Sequence, residues 1–174
     1  MPFQIPTHLG CPNVRLYGDG YGIVDEPGYG TCEEYKNITS LCDLIHYALC
    51  SCAVKLDRES FRTLLSSSDC NLAGLQARLS RIGIEHTVGE MRDWINGVSE
   101  IPSASIAHIK FVLAPLRIVN ALGFVQDADM LYSRVNRPAP EFFDIGYDSM
   151  SKGWVWLNEP QDETNTSNKG IANA

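Results

Sequence analysis

Thr87-Val88-Gly89-Glu90-Met91-Arg92-Asp93-Trp94-Ile95-Asn96-Gly97 is the stretch whose reading decides the fold. Thr87 followed by Glu90 has the spacing of a capping box, in which two side chains satisfy amides of the first helical turn. Val88, Met91 and Ile95 recur on one helical face, with Trp94 beside them. Asn96-Gly97 stops the helix, because glycine takes the left-handed conformation that closes it. A short helix over 88–96 follows.

Working outward, each neighbouring segment has its own start or stop signal. Upstream, Asn71 caps a helix over 72–84 with Leu72, Leu75, Leu79 and Ile82 inward and Gln76, Arg78 and Arg81 outward. Before it, Asp57 caps a helix carrying Phe61, Leu64 and Leu65, and Ser66-Ser67-Ser68-Asp69 breaks it. Ser40 with Asp43 starts an earlier helix over 40–55, whose wide stripe of Leu41, Leu44, Ile45, Ala48, Leu49 and Cys52 demands more than one neighbour. Downstream, Ser103 caps a helix through Ala114, and Pro115 ends or kinks it. Further helices are expected over 116–122 and 127–134.

The ends of the chain differ from this middle. Val14-Arg15-Leu16-Tyr17 and Tyr21-Gly22-Ile23-Val24 read as short strands, with Gly18-Asp19-Gly20 as the turn of a hairpin between them. Phe142, Phe143, Ile145 and Tyr147 precede a loop, and Trp154-Val155-Trp156-Leu157 is a strand signal. This aromatic stretch is expected to pair with an N-terminal strand or to dock on the helices by its tryptophans. The polar stretch from Asn158 has too little apolar area to fold alone. The expected fold class is mainly α: a compact helical domain over 39–135, with its central unit at 57–113. Short β arms flank it at 1–38 and 136–157, and a flexible polar tail occupies 158–174.

Residues 57–113 resemble the Cro/C1 (lambda repressor-like) helix-turn-helix DNA-binding proteins. The resemblance is carried by Phe61-Arg62, by Trp94-Ile95-Asn96-Gly97 followed by Ile101-Pro102, and by the series Ile106, Ile109, Val112 and Leu113. It covers about a third of the chain. It implies two helices meeting at a tight turn, the second lying in the major groove of double-stranded DNA. It also implies transcription regulation of a phage or bacterial kind, by a homodimer on paired half-sites. The aromatic arm around Phe142, Phe143, Trp154 and Trp156 and the helix over 40–55 are the candidate dimer surfaces.

The DNA-contacting residues would be Thr87, Gly89, Arg92 and Asn96, with Arg78, Arg81 and Lys110 as backbone contacts. Thr87 and the amides behind it stand at a helix N-terminus, which suits a phosphate. Arg92 and Asn96 carry the groups that read guanine and adenine edges. The plainer readings are a helix end for Asn96, a salt bridge to a nearby acid for Arg92, and solvated surface for the other cations. His86 either touches a phosphate or is simply solvated.

Charge bears on the choice of partner. The net charge is -7, which disfavours non-specific binding to nucleic acid or an anionic membrane. The middle is balanced, with Asp57, Glu59, Asp69, Glu85, Glu90, Asp93 and Glu100 against Arg58, Arg62, Arg78, Arg81, Arg92, Lys110 and Arg117, so the excess acid lies in the arms. Those acidic arms, and one cation against two acids on the outward face of 88–96, suit a rival: an acidic interaction or inhibitor protein that binds a protein partner on the same scaffold. A second rival is a helical coat subunit. Tyr147-Asp148-Ser149-Met150-Ser151-Lys152-Gly153-Trp154-Val155-Trp156 is similar to the C-terminal segment of tobamovirus-type rod coat proteins, although the arginine cluster that would hold RNA is missing.

Other chemistry finds little support. Gly18-x-Gly20-x-Gly22 lacks the lysine and hydroxyl residue of a phosphate loop. There is no Gly-x-Ser-x-Gly and no His-Glu-x-x-His, and His8, His46, His86 and His108 are scattered, so no enzyme is expected. Cys50-x-Cys52 splays its thiols on a helix, and neither His8-x-x-Cys11 nor Cys42 with His46 makes a structural metal set. No metal or cofactor is expected. No apolar run is long enough to cross a membrane and the N-terminus lacks a basic-then-apolar leader, so a cytoplasmic location with six reduced cysteines is expected. Two Asn-x-Ser/Thr matches, at Asn37 and Asn165, carry no weight without a secretory route.

Overall fold

The computed structural model describes residues 13–114 and 137–160. These comprise strands β1 (Val14–Tyr17), β2 (Tyr21–Glu26) and β3 (Gly30–Tyr35). Helices α1 (Ile38–Cys50), α2 (Arg58–Ser67), α3 (Leu72–Arg81), α4 (Val88–Asn96) and α5 (Ser103–Leu113) follow, then strands β4 (Phe143–Asp148) and β5 (Gly153–Trp156). The helices expected over 116–122 and 127–134, the break at Pro115, the His8–Cys11 pair and the tail beyond 160 lie outside the described residues.

The mainly α expectation is corrected to a mixed α/β fold: 42% of the described residues are helical and 21% are strand, in two sheets. The two ends of the chain join rather than stand as separate arms. β1 runs parallel to β4, and β4 antiparallel to β5, in the order β1-β4-β5. Val14 and Leu16 of β1, and Phe143 and Ile145 of β4, turn one apolar face into the core. On the other face Arg15 donates from Nε and Nη2 to the Asp144 carboxylate at 2.6 and 3.0 Å, and its guanidinium lies 4.4 Å from the Phe142 ring centre. Each strand is too short to be stable alone and takes its stability from the pairing and from the helices behind it.

The expected hairpin between 14–17 and 21–24 does not form. Gly20 lies so close to Tyr147 that a Cβ would meet its ring carbon at 2.5 Å, so this turn brings backbone onto an aromatic side chain and sends the chain into a second sheet. There β2 pairs antiparallel with β3.

Three expected caps are in place: Asp57, Asn71 and Thr87 accept from the amides of Ser60, Gly74 and Glu90. α1 starts earlier than expected, with Asn37 accepting from the Ser40 amide at 3.3 Å. The Ser40 hydroxyl instead takes the Trp154 amide at 3.3 Å, so the residue read as a cap stitches β5 to α1. α5 is preceded by Pro102 and has no side-chain cap. α1 ends at Cys50, and residues 51–57 carry the chain on to α2 without helix.

One apolar core joins helices and sheet. Leu41, Ile45 and Leu49 of α1, Phe61 and Leu64 of α2, Leu75 and Leu79 of α3, Met91 and Trp94 of α4, and Ile109 and Leu113 of α5 are buried with Trp154 and Trp156. Burying one such side chain stabilises by about 1.5–3 kcal/mol. Trp156 lies edge-on between Tyr47 at 5.8 Å and Phe143 at 5.4 Å. Both tryptophans find acceptors for their indole N–H, Trp154 at the Lys36 carbonyl and Trp156 at Asn158, each at 2.8 Å. Asn158, expected to open a polar tail, also takes the Asp144 amide and donates to the Phe142 carbonyl, closing the end of the sheet. Among the described residues no helix is long and apolar enough to cross a membrane.

Candidate nucleic-acid interface

α2, α3, α4 and α5 enclose a shared centre in which Trp94 is the middle piece. Its indole meets the Phe61 ring edge-on at 6.1 Å and the His86 ring at 4.9 Å. His86 Nε2 is 2.8 Å from the Ser105 hydroxyl of α5. His86 therefore wedges between α4 and α5 instead of standing solvated or awaiting a phosphate. Met91 and Trp94 are buried one turn apart, while Glu90, Arg92, Asp93 and Asn96 face outward. The period of the quoted stretch thus divides α4 cleanly into a core side and a free side.

The turn from α3 to α4 spans residues 82–87. The Ile82 and Ile84 amides return to the Leu79 carbonyl and the Gly83 amide to that of Ser80, which ends α3 and redirects the chain. Gly97 ends α4 with φ 73, and the Val98 amide reaches back to the Asp93 carbonyl at 2.9 Å. A side chain there would be held in the left-handed region that L-residues avoid.

The capping box is complete, and it changes the role expected of Thr87. The Thr87 hydroxyl oxygen accepts from the Glu90 amide at 3.1 Å, and the Glu90 carboxylate accepts from the Thr87 amide at 2.7 Å and from its hydroxyl at 3.0 Å. Those bonds hold the Glu90 carboxyl below the usual carboxylate range, the Thr87 amide being the largest cause. Thr87 is thus committed within the protein, and a fixed negative charge sits at the start of α4. Among the described residues the following amides of Val88 and Gly89 have no acceptor, so they are the ones left to meet an anion.

The other expected contacts separate. Gly89, Arg92 and Asn96 are exposed along α4, and Arg92 makes no ion pair among the described residues. Arg78 and Arg81 are exposed on the last turn of α3. Arg78 Nη1 is 3.4 Å from the Val112 carbonyl of α5, while Arg81 is exposed. Arg78, Arg81, Gly89, Arg92 and Asn96 are thus all exposed on two consecutive helices, and Glu85, Glu90 and Asp93 are exposed as well.

Lys110 is the largest departure, since it is fully buried rather than available to a backbone phosphate. Its ammonium donates to the Cys52 and Val54 carbonyls, each at 2.7 Å, and burial lowers its pKa to about 8. It pins the non-helical segment after α1 to α5. The sequence hides this because α5 is apolar on nearly every side, so no face marks the lysine as inward or outward. The candidate dimer surfaces are corrected in the same way: Phe143, Trp154 and Trp156, and most of α1, are spent on the chain's own core.

Burial pushes Cys50 up to about 12 and raises Cys52 as well. Among the described residues no three His, Cys, Asp or Glu side chains converge as a metal set. Set beside known proteins, the chain matches no family model, and no curated protein or solved structure is significantly similar to it.

Proposed function

We propose that the protein binds double-stranded DNA sequence-specifically through α3, the 82–87 turn and α4, as a phage- or bacterial-type transcription regulator acting in the cytoplasm. The single observation that carries this reading is the free side of α4. Arg92 and Asn96 stand one turn apart on a helix whose opposite side is locked by Met91 and Trp94. Arginine and asparagine are the side chains that bind guanine and adenine edges in pairs of hydrogen bonds. Gly89 leaves the backbone uncovered where a phosphate would approach, and Arg78 and Arg81 are exposed on the preceding helix. Paired half-sites, bound by two copies, would raise affinity, and a surface other than the buried aromatics would join the copies.

The test is selection from a pool of randomised duplexes at low salt, followed by anisotropy titration. Arg92→Ala is expected to weaken the selected duplex by about 1–3 kcal/mol and to relax preference at one base pair. Arg81→Ala is expected to weaken all duplexes alike and to flatten the salt dependence. If no duplex is enriched over the starting pool, this reading fails.

A second reading is favoured by the hairpin β2–β3. Among the described residues Asp25 and Glu26 lie on it without an ion-pair partner, beside Ile23 and Tyr29, which are 62% and 83% exposed. An acidic, partly apolar projection suits a basic protein partner. Binding that survives Arg92→Ala but fails on Asp25→Lys with Glu26→Lys would favour it.

A further inference from the structure

The hairpin β2–β3 stands out from the molecule, and every residue from Asp25 to Thr31 is exposed. The Lys36 amide donates to the Gly20 carbonyl at 2.8 Å, so Gly20 and Lys36 form a hydrogen-bonded pair of the antiparallel ladder. Such pairs alternate with pairs that make no bonds to each other. With Tyr21 opposite Tyr35 and Ile23 opposite Glu33, the bonds between the strands fall to Gly22, Val24 and Glu26. The N–H and C=O groups of Tyr21, Ile23 and Asp25 therefore turn to the outer edge. Among the described residues none of those outer groups has a backbone partner. Tyr21 is buried, whereas Ile23 and Asp25 are exposed, so the edge is open along the outer half of β2.

The base of the hairpin is fixed. The rings of Tyr21 and Tyr35 lie 5.1 Å apart, and the Glu33 carboxylate accepts from both hydroxyls. Two strands alone are marginal in water, and a third would add backbone bonds and apolar contact at Ile23. Open edges are usually blunted by lysine or by proline within the strand, and β2 has neither. Its charge instead decides which strand can come. Residues 21–35 carry Asp25, Glu26, Glu33 and Glu34 and no Lys, Arg or His. A second copy of the chain, pairing edge to edge, would press two acidic hairpins together with no cation between them. A cationic segment meets opposite charge on both faces, because Asp25 and Glu26 are adjacent and point to opposite sides of the sheet.

We propose that the outer edge of β2 takes a third strand from a partner protein, an extended segment rich in lysine or arginine with a β-branched residue among them. This rests on the reading of the hairpin as the site of a basic partner, and adds how that partner is held. Its backbone pairs with Ile23 and Asp25, its cations meet Asp25 and Glu26, and its apolar side chain lies across Ile23. Main-chain bonds supply affinity in this mode, and the acids select the segment.

The probe is acetyl-Lys-Lys-Val-Val-Lys-Lys-amide, which reads alike in both directions, titrated into the full chain and followed by amide shifts and hydrogen exchange. It is expected to bind with Kd below about 1 mM, and to slow exchange of the Ile23 and Asp25 amides at least threefold at saturation. The analogue with glutamate in place of lysine is expected not to bind. Ile23→Pro deletes an outward amide and no bond of the ladder, at an edge position where a strand tolerates proline, and is expected to weaken the probe at least tenfold. Ile23→Thr keeps the amide and is expected to weaken it less than threefold. Asp25→Lys with Glu26→Lys is expected to abolish binding. The proposal is overturned by no binding at roughly 5 mM, by equal affinity for the glutamate analogue, or by binding that leaves the Ile23 and Asp25 amides unprotected in the wild type. Binding without that protection, yet lost in Asp25→Lys with Glu26→Lys, would sink strand addition and leave the basic-partner reading standing.

Discussion

In helices α2, α3 and α4, each capping side chain lies three residues from the amide it serves. Strand β1, by contrast, finds its partner β4 129 positions down the chain, with Val14 opposite Phe143 and Arg15 opposite Asp144. Two regions of one core are thus specified on different scales. Caps and helical periods are local statements that a short window contains. A parallel strand pair is a non-local statement, and closing so long a loop costs entropy that only the finished core repays. The helical unit is therefore expected to persist when the sheet is weakened, and the sheet to depend on the helices it covers.

The largest effects test that dependence directly. Trp94→Ala removes the centre of the helical unit, and Phe143→Ala removes the centre of the sheet face. Each is expected to cost about 3–5 kcal/mol, the usual loss for a buried large aromatic. The two should differ in what survives. Phe143→Ala is expected to leave α2–α5 protected in amide exchange, whereas Trp94→Ala is expected to expose helices and sheet together. Equal loss of protection in both variants would show a single cooperative unit and remove the distinction.

The next effect joins the regions through Lys110, whose ammonium holds the segment after α1 against α5. Burial lowers its pKa from 10.5 to about 8. Between those values the native state binds fewer protons than the unfolded chain, so stability rises with pH across that window and is lowest below it. The gain is on the order of 1–3 kcal/mol. Urea unfolding of the wild type and Lys110→Met from pH 7 to 10.5 measures it: the wild type should climb relative to the variant. Parallel curves would mean that the ammonium titrates normally despite its burial.

These contrasts explain what could be read in advance. The starts of α2, α3 and α4, and the division of α4 into buried Met91 and Trp94 and outward Arg92 and Asn96, follow from spacing and side-chain chemistry alone. The strand signals at 14–17 and 154–157 are legible, but β4 and the order β1-β4-β5 are not, because strands of four to six residues carry no mark of their partners and alternation in so short a run also suits a loop. The turn at Gly18-Asp19-Gly20 looks like a hairpin, since nothing near it shows that Tyr147 occupies the space beside Gly20. Lys110 was misplaced for the opposite reason: lysine is rarely buried, and no local signal announces the two carbonyls that hold it.

The smallest effect lies at the start of α4, where structure and proposed function compete for one group. Thr87→Ala removes the hydroxyl that accepts from the Glu90 amide, and a lost cap of this kind costs about 1 kcal/mol. The Glu90 carboxyl is held below its ordinary value by the Thr87 amide and hydroxyl, so the native state favours its ionised form. That contribution is present above the unfolded carboxyl's pKa and is lost as pH falls through the lower native one. The stability gap between wild type and Thr87→Ala should therefore be widest near neutral pH and narrow under acid. DNA binding should move the other way for Glu90→Gln, which keeps helical propensity but deletes the negative charge beside the open Val88 and Gly89 amides. That variant is expected to bind a selected duplex more tightly at low salt while being slightly less stable. If Glu90→Gln leaves the affinity unchanged, no phosphate approaches the start of α4, and the DNA contact must be made by Arg92 and Asn96 farther along the helix.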